Sequence, residues 1–113
     1  EHVYDMRNKN ITPLSRVVVR AMLGISKALN AGHAREQIIV HSDVKPQNVM
    51  VCSKARIYLI DYSQSLTDKG DEHTLSGSPA YMAPEILLGD GDAYDPKRDI
   101  YACGVMILEL ITQ

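Results

Sequence analysis

Four polar residues in this chain have types and spacings that could do chemistry. Asp43 is followed two places on by Lys45 and three places later by Asn48, within "HSDVKPQNVMV", His41 to Val51. Asp61 closes a later apolar run, "RIYLID". A carboxylate can take a proton, and an ammonium supplies a compact positive charge. An amide oxygen and a carboxylate are both hard oxygen donors. Taken singly, each residue has a plainer explanation: Asp43 and Asn48 as turn or cap residues, Lys45 as a solvated charge, Asp61 as a strand end. Only their joint placement can favour chemistry over those explanations.

That placement depends on the elements around them. "ITPLSRVVVRAMLGISKALNAG" reads as a helix, with Thr12 as N-cap and Pro13 in the first turn. Leu14, Val17, Val18, Ala21, Met22, Ile25 and Leu29 recur at three- and four-residue steps and predict one apolar stripe. Gly32 is expected to end the helix in a left-handed turn. "QIIVHS", "NVMVC" and "RIYLID" read as strands, the last two as a hairpin joined through "SKA". A hairpin brings the residue before its first strand to the residue after its second. Asn48 and Asp61 are therefore expected at the same end. Ser63 to Pro79 is a polar loop of unusual length, "APEILLG" a short helix, and Pro96 to Thr112 a second long helix. Apolar residues lie on nearly every side of that last helix from Ile100 onward, so it is patterned to be surrounded.

The bulk numbers fit one ordinary globular domain at most. The chain has 113 residues, 45% hydrophobic and 23% charged, with a net charge of -2 and neither Phe nor Trp. The core must be aliphatic. The charge gives no electrostatic case for nucleic acid or an anionic membrane. No apolar run is long enough to span a bilayer. Cys52 and Cys103 lie far apart in apolar surroundings, outside any zinc-type spacing. They read as small buried hydrophobes in a reducing compartment, with a disulfide as the alternative. A soluble protein of the cytoplasm is expected, the nucleus being the other location.

Four stretches, in order, resemble the eukaryotic-type protein kinases. His41 to Asn48 is similar to the family's catalytic loop, HRDLKPEN. Asp61-Tyr62-Ser63 stands where the family has DFG. Gly77 to Glu85, "GSPAYMAPE", resembles the end of the activation segment, and Asp99 to Gly104 the start of the central helix, DxWSxG. The resemblance implies an α+β fold, mainly α: a partial C-terminal kinase lobe over residues 1–113, with catalytic loop 41–48, activation segment 61–85 and central helix about 97–112. It also implies use of ATP and Mg2+ on a protein substrate. Asp43 would orient the substrate hydroxyl and take its proton late, and Lys45 would place its charge near the γ-phosphate. Asn48 and Asp61 would hold the metal. Ser78 would bridge Asp43 and Lys45, where the family has Thr. Met50, with Val49 and Val51, would floor the adenine pocket. His41 and Tyr62 would pack inside, and Asp99 would bond the catalytic-loop backbone. Lys45 with Pro46 matches the serine/threonine type.

Several residues depart from the pattern. Ser42 replaces the family's Arg, the usual partner of an activation-loop phosphate, which Thr74 could carry. Ser63 replaces a Gly and is expected to stiffen its turn. The link "NAGHAREQIIVH" is slightly longer than usual, which a surface turn could absorb. No Gly-rich loop and no strand Lys occur in these residues. The chain also opens without Met and stops directly after an apolar helical run. It is therefore expected to be the middle of a longer domain, inactive alone, with a small lobe and further large-lobe helices as its partners. Two other readings remain open: a pseudokinase acting as scaffold or allosteric binding module, and a small-molecule phosphotransferase of related fold. If Ser42 has removed the phosphate's main partner, Thr74→Ala and Thr74→Asp should each change the full-length protein's phosphotransfer rate by well under about a hundredfold. A larger change in steady-state rate would contradict that.

Overall fold

The computed structural model describes residues 11–52, 56–67 and 77–112. Among these residues the regular structure is three α-helices and one two-stranded antiparallel sheet: α1 (Ile11–His33), β1 (Val49–Cys52), β2 (Arg56–Leu59), α2 (Pro84–Leu87) and α3 (Lys97–Ile111). Single 3-10 turns occupy Pro46–Asn48 and Pro79–Tyr81. The fold is mainly helical with a small sheet, as the sequence predicts. Among the described residues no helix is long and apolar enough to cross a membrane.

The core forms where α1, the hairpin and α3 meet. Ala21, Ile25 and Leu29 of α1 pack with Val44, Leu59, Ala102 and Met106, and Val49 and Ile57 close against them. It is aliphatic throughout. The buried arc of α1 is narrower than the predicted stripe: Met22, at its edge, is 44% exposed. The side chains of Leu14 and Val17 lie outside the described residues. A second, smaller cluster of Met82, Ala83 and Ile86 seats α2. Cys52 and Cys103 are free thiols, half-buried rather than buried. On α3, Ile100, Leu108 and Ile111 are exposed, as a helix patterned for burial on all sides requires when only one side is covered here.

Three predicted details are corrected. α1 already includes Ile11, so Thr12 lies inside the first turn rather than capping it. Gly32 is not a left-handed cap. The helix runs on to His33, and the Ile39 N–H donates to the Gly32 carbonyl at 3.1 Å. A Cβ on Gly32 would sit 3.1 Å from the Ile39 carbonyl oxygen, so this glycine permits the returning chain to approach closely. "QIIVHS" forms no strand of its own. It makes a single bridge, Val40 to Leu66, because the chain turns away into the loop that follows. The longer link is carried by exposed turns at residues 34–37, while the Tyr94 hydroxyl donates to the Ile38 carbonyl at 2.6 Å and fixes its return.

The hairpin matches expectation. Val49 pairs with Leu59 and Val51 with Ile57, and beyond the ladder the Ile60 N–H donates to the Asn48 carbonyl at 2.8 Å. Its connection, 53–55, lies outside the described residues. The sheet meets α1 at Gly24, where an added Cβ would lie 2.6 Å from Ile57 Cγ1. Beside this contact an open groove of about 670 Å3 carries Arg20, Lys27 and Arg56 and holds none of the four polar residues singled out above. In an open helix interior, Gly to Ala gains roughly 1 kcal/mol. Here Gly24→Ala should instead cost about 1–3 kcal/mol, because Ile57 cannot move without displacing the core. Thermal unfolding checks this: the midpoint should fall, and Gly24→Ala should cost less when it is made in an Ile57→Ala background.

Candidate active site

The loop from His41 to Asn48 is held from below by α3. Asp99, 1% exposed, accepts the His41 N–H at 2.8 Å and the His33 imidazole Nε2 at 2.9 Å on Oδ2. Its Oδ1 accepts the Ser42 N–H at 2.9 Å. A carboxylate this deep requires such donors. The two backbone bonds also explain how Ser42 keeps φ at 74°, a left-handed conformation that few non-glycine residues adopt. The His41 ring makes the second brace. Its Nδ1 accepts the Asp43 N–H at 3.1 Å and its Nε2 lies 2.9 Å from the Ile60 carbonyl, which places the ring proton on Nε2. The ring also meets Tyr62 edge-on at 4.6 Å. Val44 enters the core between these polar anchors.

This frame brings four predicted site residues into direct contact. Ser78 Oγ accepts from Lys45 Nζ at 2.8 Å and donates to Asp43 Oδ1 at 2.9 Å. Lys45 Nζ lies 3.5 Å from Asp43 Oδ2. Asn48 Nδ2 donates to the Asp43 carbonyl at 2.8 Å and to Asp43 Oδ2 at 3.2 Å. With its amide nitrogen so engaged, Asn48 has its side-chain oxygen left to offer.

Ser78 reaches this place because Gly77, at φ 110°, lies against the loop. A Cβ on Gly77 would overlap the Ser42 carbonyl oxygen. Three residues further on, the Tyr81 hydroxyl donates to Glu109 Oε2 at 2.5 Å, tying the same segment to α3. That bond first, with burial, pushes the Tyr81 hydroxyl up to about 12.

Asp61 is at the same end of the hairpin as Asn48, as the backbone pairing requires, but its carboxylate is engaged within its own turn. Oδ1 accepts the Ser63 hydroxyl at 2.6 Å and the Ser63 N–H at 3.2 Å. The Ser63 hydroxyl, then its N–H, hold the Asp61 carboxyl below its ordinary range, and His41 and Lys45 add smaller pulls. Asp61 takes the left-handed conformation, φ 59°, and Ser63 does not. Ser63 thus adopts no conformation that needs a glycine, and the left-handed residue of this turn is Asp61.

Met50 is 41% exposed on the outer face of the hairpin beside Tyr58, whereas Val49 packs on the core. Side chains alternate along a strand, so Met50 cannot share one floor with Val49 and Val51. Tyr62 is nearly half exposed rather than internal. Thr74 lies outside the described residues.

Three contributors escaped the sequence reading. His33 completes the Asp99 pocket from the end of α1. Glu109 was visible only as a charge in an apolar run, and that was its signal. Arg98, 4% exposed, donates to the Ala93 carbonyl at 3.0 Å and lines a small recess with Ser42, Asp43 and Ser78. Burial lowers its guanidinium from the usual range, while Asp99 and Asp43 oppose that shift. Nothing in its spacing set it apart from a surface arginine. As for a metal, the oxygen donors of Asn48 and Asp61 fit Mg2+, which takes one or two protein carboxyl or carbonyl ligands and completes its shell with water and phosphate. Among the described residues no three His, Cys, Asp or Glu side chains cluster as metal ligands.

Comparison with known proteins gives the family. The family model for the protein kinase domain matches residues 2–113. The chain is 39% identical over 109 residues to a cGMP-dependent protein kinase of Plasmodium berghei, covering 96% of this chain and 12% of that protein. It is 38% identical over 98 residues to CBL-interacting protein kinase 4 of Oryza sativa subsp. japonica, covering 81% and 21%. With serine/threonine-protein kinase ATG1a of Arabidopsis thaliana it shares 36% over 90 residues, covering 75% and 14%. The chain thus spans between about an eighth and a fifth of the length of these relatives. With the motif order, the contact of Asp43, Lys45 and Ser78, and this match along nearly its whole length, the chain belongs to the protein kinase family.

Proposed function

We propose that these residues form the catalytic part of the large lobe of a serine/threonine protein kinase, which moves the γ-phosphate of Mg-ATP to a serine or threonine hydroxyl. The single observation that carries this reading is the closed contact of Asp43, Ser78 and Lys45 beside Asn48. Such an array positions a base and a cation without using either up. The Asp43 carboxylate orients the incoming hydroxyl and takes its proton. The substrate oxygen bonds to the γ-phosphorus as the bond from that phosphorus to the β-phosphate bridging oxygen breaks, giving ADP and a phosphoester. Lys45 offsets the charge on the transferred group.

Asn48 and Asp61 would hold Mg2+, which would supply charge neutralisation of the phosphates. Met50 faces outward from the hairpin, where an adenine could lie over it. The serine/threonine assignment is supported by Lys45 with Pro46 and by the printed names of relatives such as the Arabidopsis kinase. These residues contain neither a Gly-rich loop nor a strand lysine, so the full reaction belongs to the longer protein and the isolated segment is inactive.

The pseudokinase alternative is weighed by the same test. In the full-length protein, Asp43→Asn should lower kcat by about 100-fold or more with little change in the KM for ATP. Equal rates for the two proteins in a phosphotransfer assay, or no transfer by either, would remove the catalytic assignment.

A further inference from the structure

We propose that the Ser63 hydroxyl is a positioning group for Asp61, holding its carboxylate in a fixed presentation that strengthens divalent-cation binding. The proposal rests on the reading of Asp61 as a metal ligand. Its basis is the geometry of three consecutive residues. Asp61 is exposed and sits at φ 59°, so neither packing nor a favoured backbone conformation fixes its side chain. Two donors from one residue converge on the same oxygen: the Ser63 N–H at 3.2 Å and the Ser63 hydroxyl at 2.6 Å. The N–H bond alone is an ordinary turn contact and long. The hydroxyl bond falls in the short range of charge-assisted O–H···O bonds, and so is the stronger of the two.

Both bonds go to Oδ1, which leaves Oδ2 as the oxygen presented to a cation. A glycine or alanine at position 63 keeps the N–H and loses the hydroxyl. The carboxylate would then rotate in water and have to be ordered again by each incoming metal. Hydrogen bonds to a ligating carboxylate commonly set metal affinity in this way, and their loss costs about 10–100-fold. The hydroxyl is thus more than a tolerated replacement: it supplies order that a glycine there could not.

The test uses the full-length protein, saturated with a non-hydrolysable ATP analogue, and Mn2+ as the probe. Affinity is read from the electron paramagnetic resonance signal of free Mn2+. Ser63→Ala should raise the Mn2+ Kd by about tenfold, and Ser63→Thr, which restores a hydroxyl, should return it to within about twofold of the parent protein. An unchanged thermal midpoint and an unchanged analogue affinity without metal establish that the Ala variant folds. A Ser63→Ala protein that binds Mn2+ equally or more tightly overturns the proposal. So does a Thr variant as weak as the Ala variant, since the hydroxyl would then not be the cause. Asp61→Asn separates the two levels. If it leaves Mn2+ binding unchanged, the reading of Asp61 as a ligand fails. If it weakens binding while Ser63→Ala does not, only the role of Ser63 fails.

Discussion

Asp99 accepts three hydrogen bonds while almost wholly buried, and the site is built on that arrangement. One donor comes from the end of α1 and two from consecutive backbone amides of the loop that carries Asp43. An unpartnered carboxylate at that depth would cost several kcal/mol, and so would two buried amides without an acceptor. The three groups therefore satisfy one another or none is satisfied. This mutual dependence fixes the loop to α3 more firmly than apolar contact could, because hydrogen bonds specify direction as well as distance. It also holds Ser42 in a conformation its side chain disfavours, which turns the chain so that Asp43 leaves the loop toward Ser78.

The second constraint is the approach of the 77–81 segment. Gly77 lies against the Ser42 carbonyl, closer than any side chain would allow, and the Tyr81–Glu109 bond holds the same segment to α3 from the other side. Between those two fixed points Ser78 has little freedom. Its hydroxyl both accepts and donates, so it can join an ammonium to a carboxylate and keep them apart at 3.5 Å. A contact of this kind leaves Lys45 and Asp43 oriented toward whatever binds above them. Asp61 is held differently, by its own turn and in the open.

Much of this was legible in the residues. The order of four motifs fixed the family, and helix periodicity placed Ala21, Ile25 and Leu29 in the core. The hairpin pattern brought Asn48 to the end where Asp61 lies. What was misread involves competition between nearby groups. Gly32 had the position of a helix cap, but the backbone of Ile39 returns over it and the helix continues. Met50 was grouped with Val49 and Val51 on one surface, but strand alternation turns it to the opposite face from Val49, which packs on the core. His33 and Arg98 carry no periodic or spacing signal. Their burial arises only when α1, α3 and the loop converge.

By itself the sequence determined which groups are available: a carboxylate, an ammonium, an amide and a second carboxylate at spacings a hairpin can assemble, with three serines, Ser42, Ser63 and Ser78, where the family has other residues. Those are properties of residue type and local pattern. The tertiary structure decided which atoms meet. It directed Ser78 to both Asp43 and Lys45, gave Asp99 its third donor from 66 residues away in α1, and closed the Ser63 hydroxyl on the Asp61 oxygen. The physical reason is that hydrogen bonds depend on tenths of an ångström and on direction. Those are set by the packing of distant segments, and in the case of Ser63 by a backbone dihedral that residue types alone leave open.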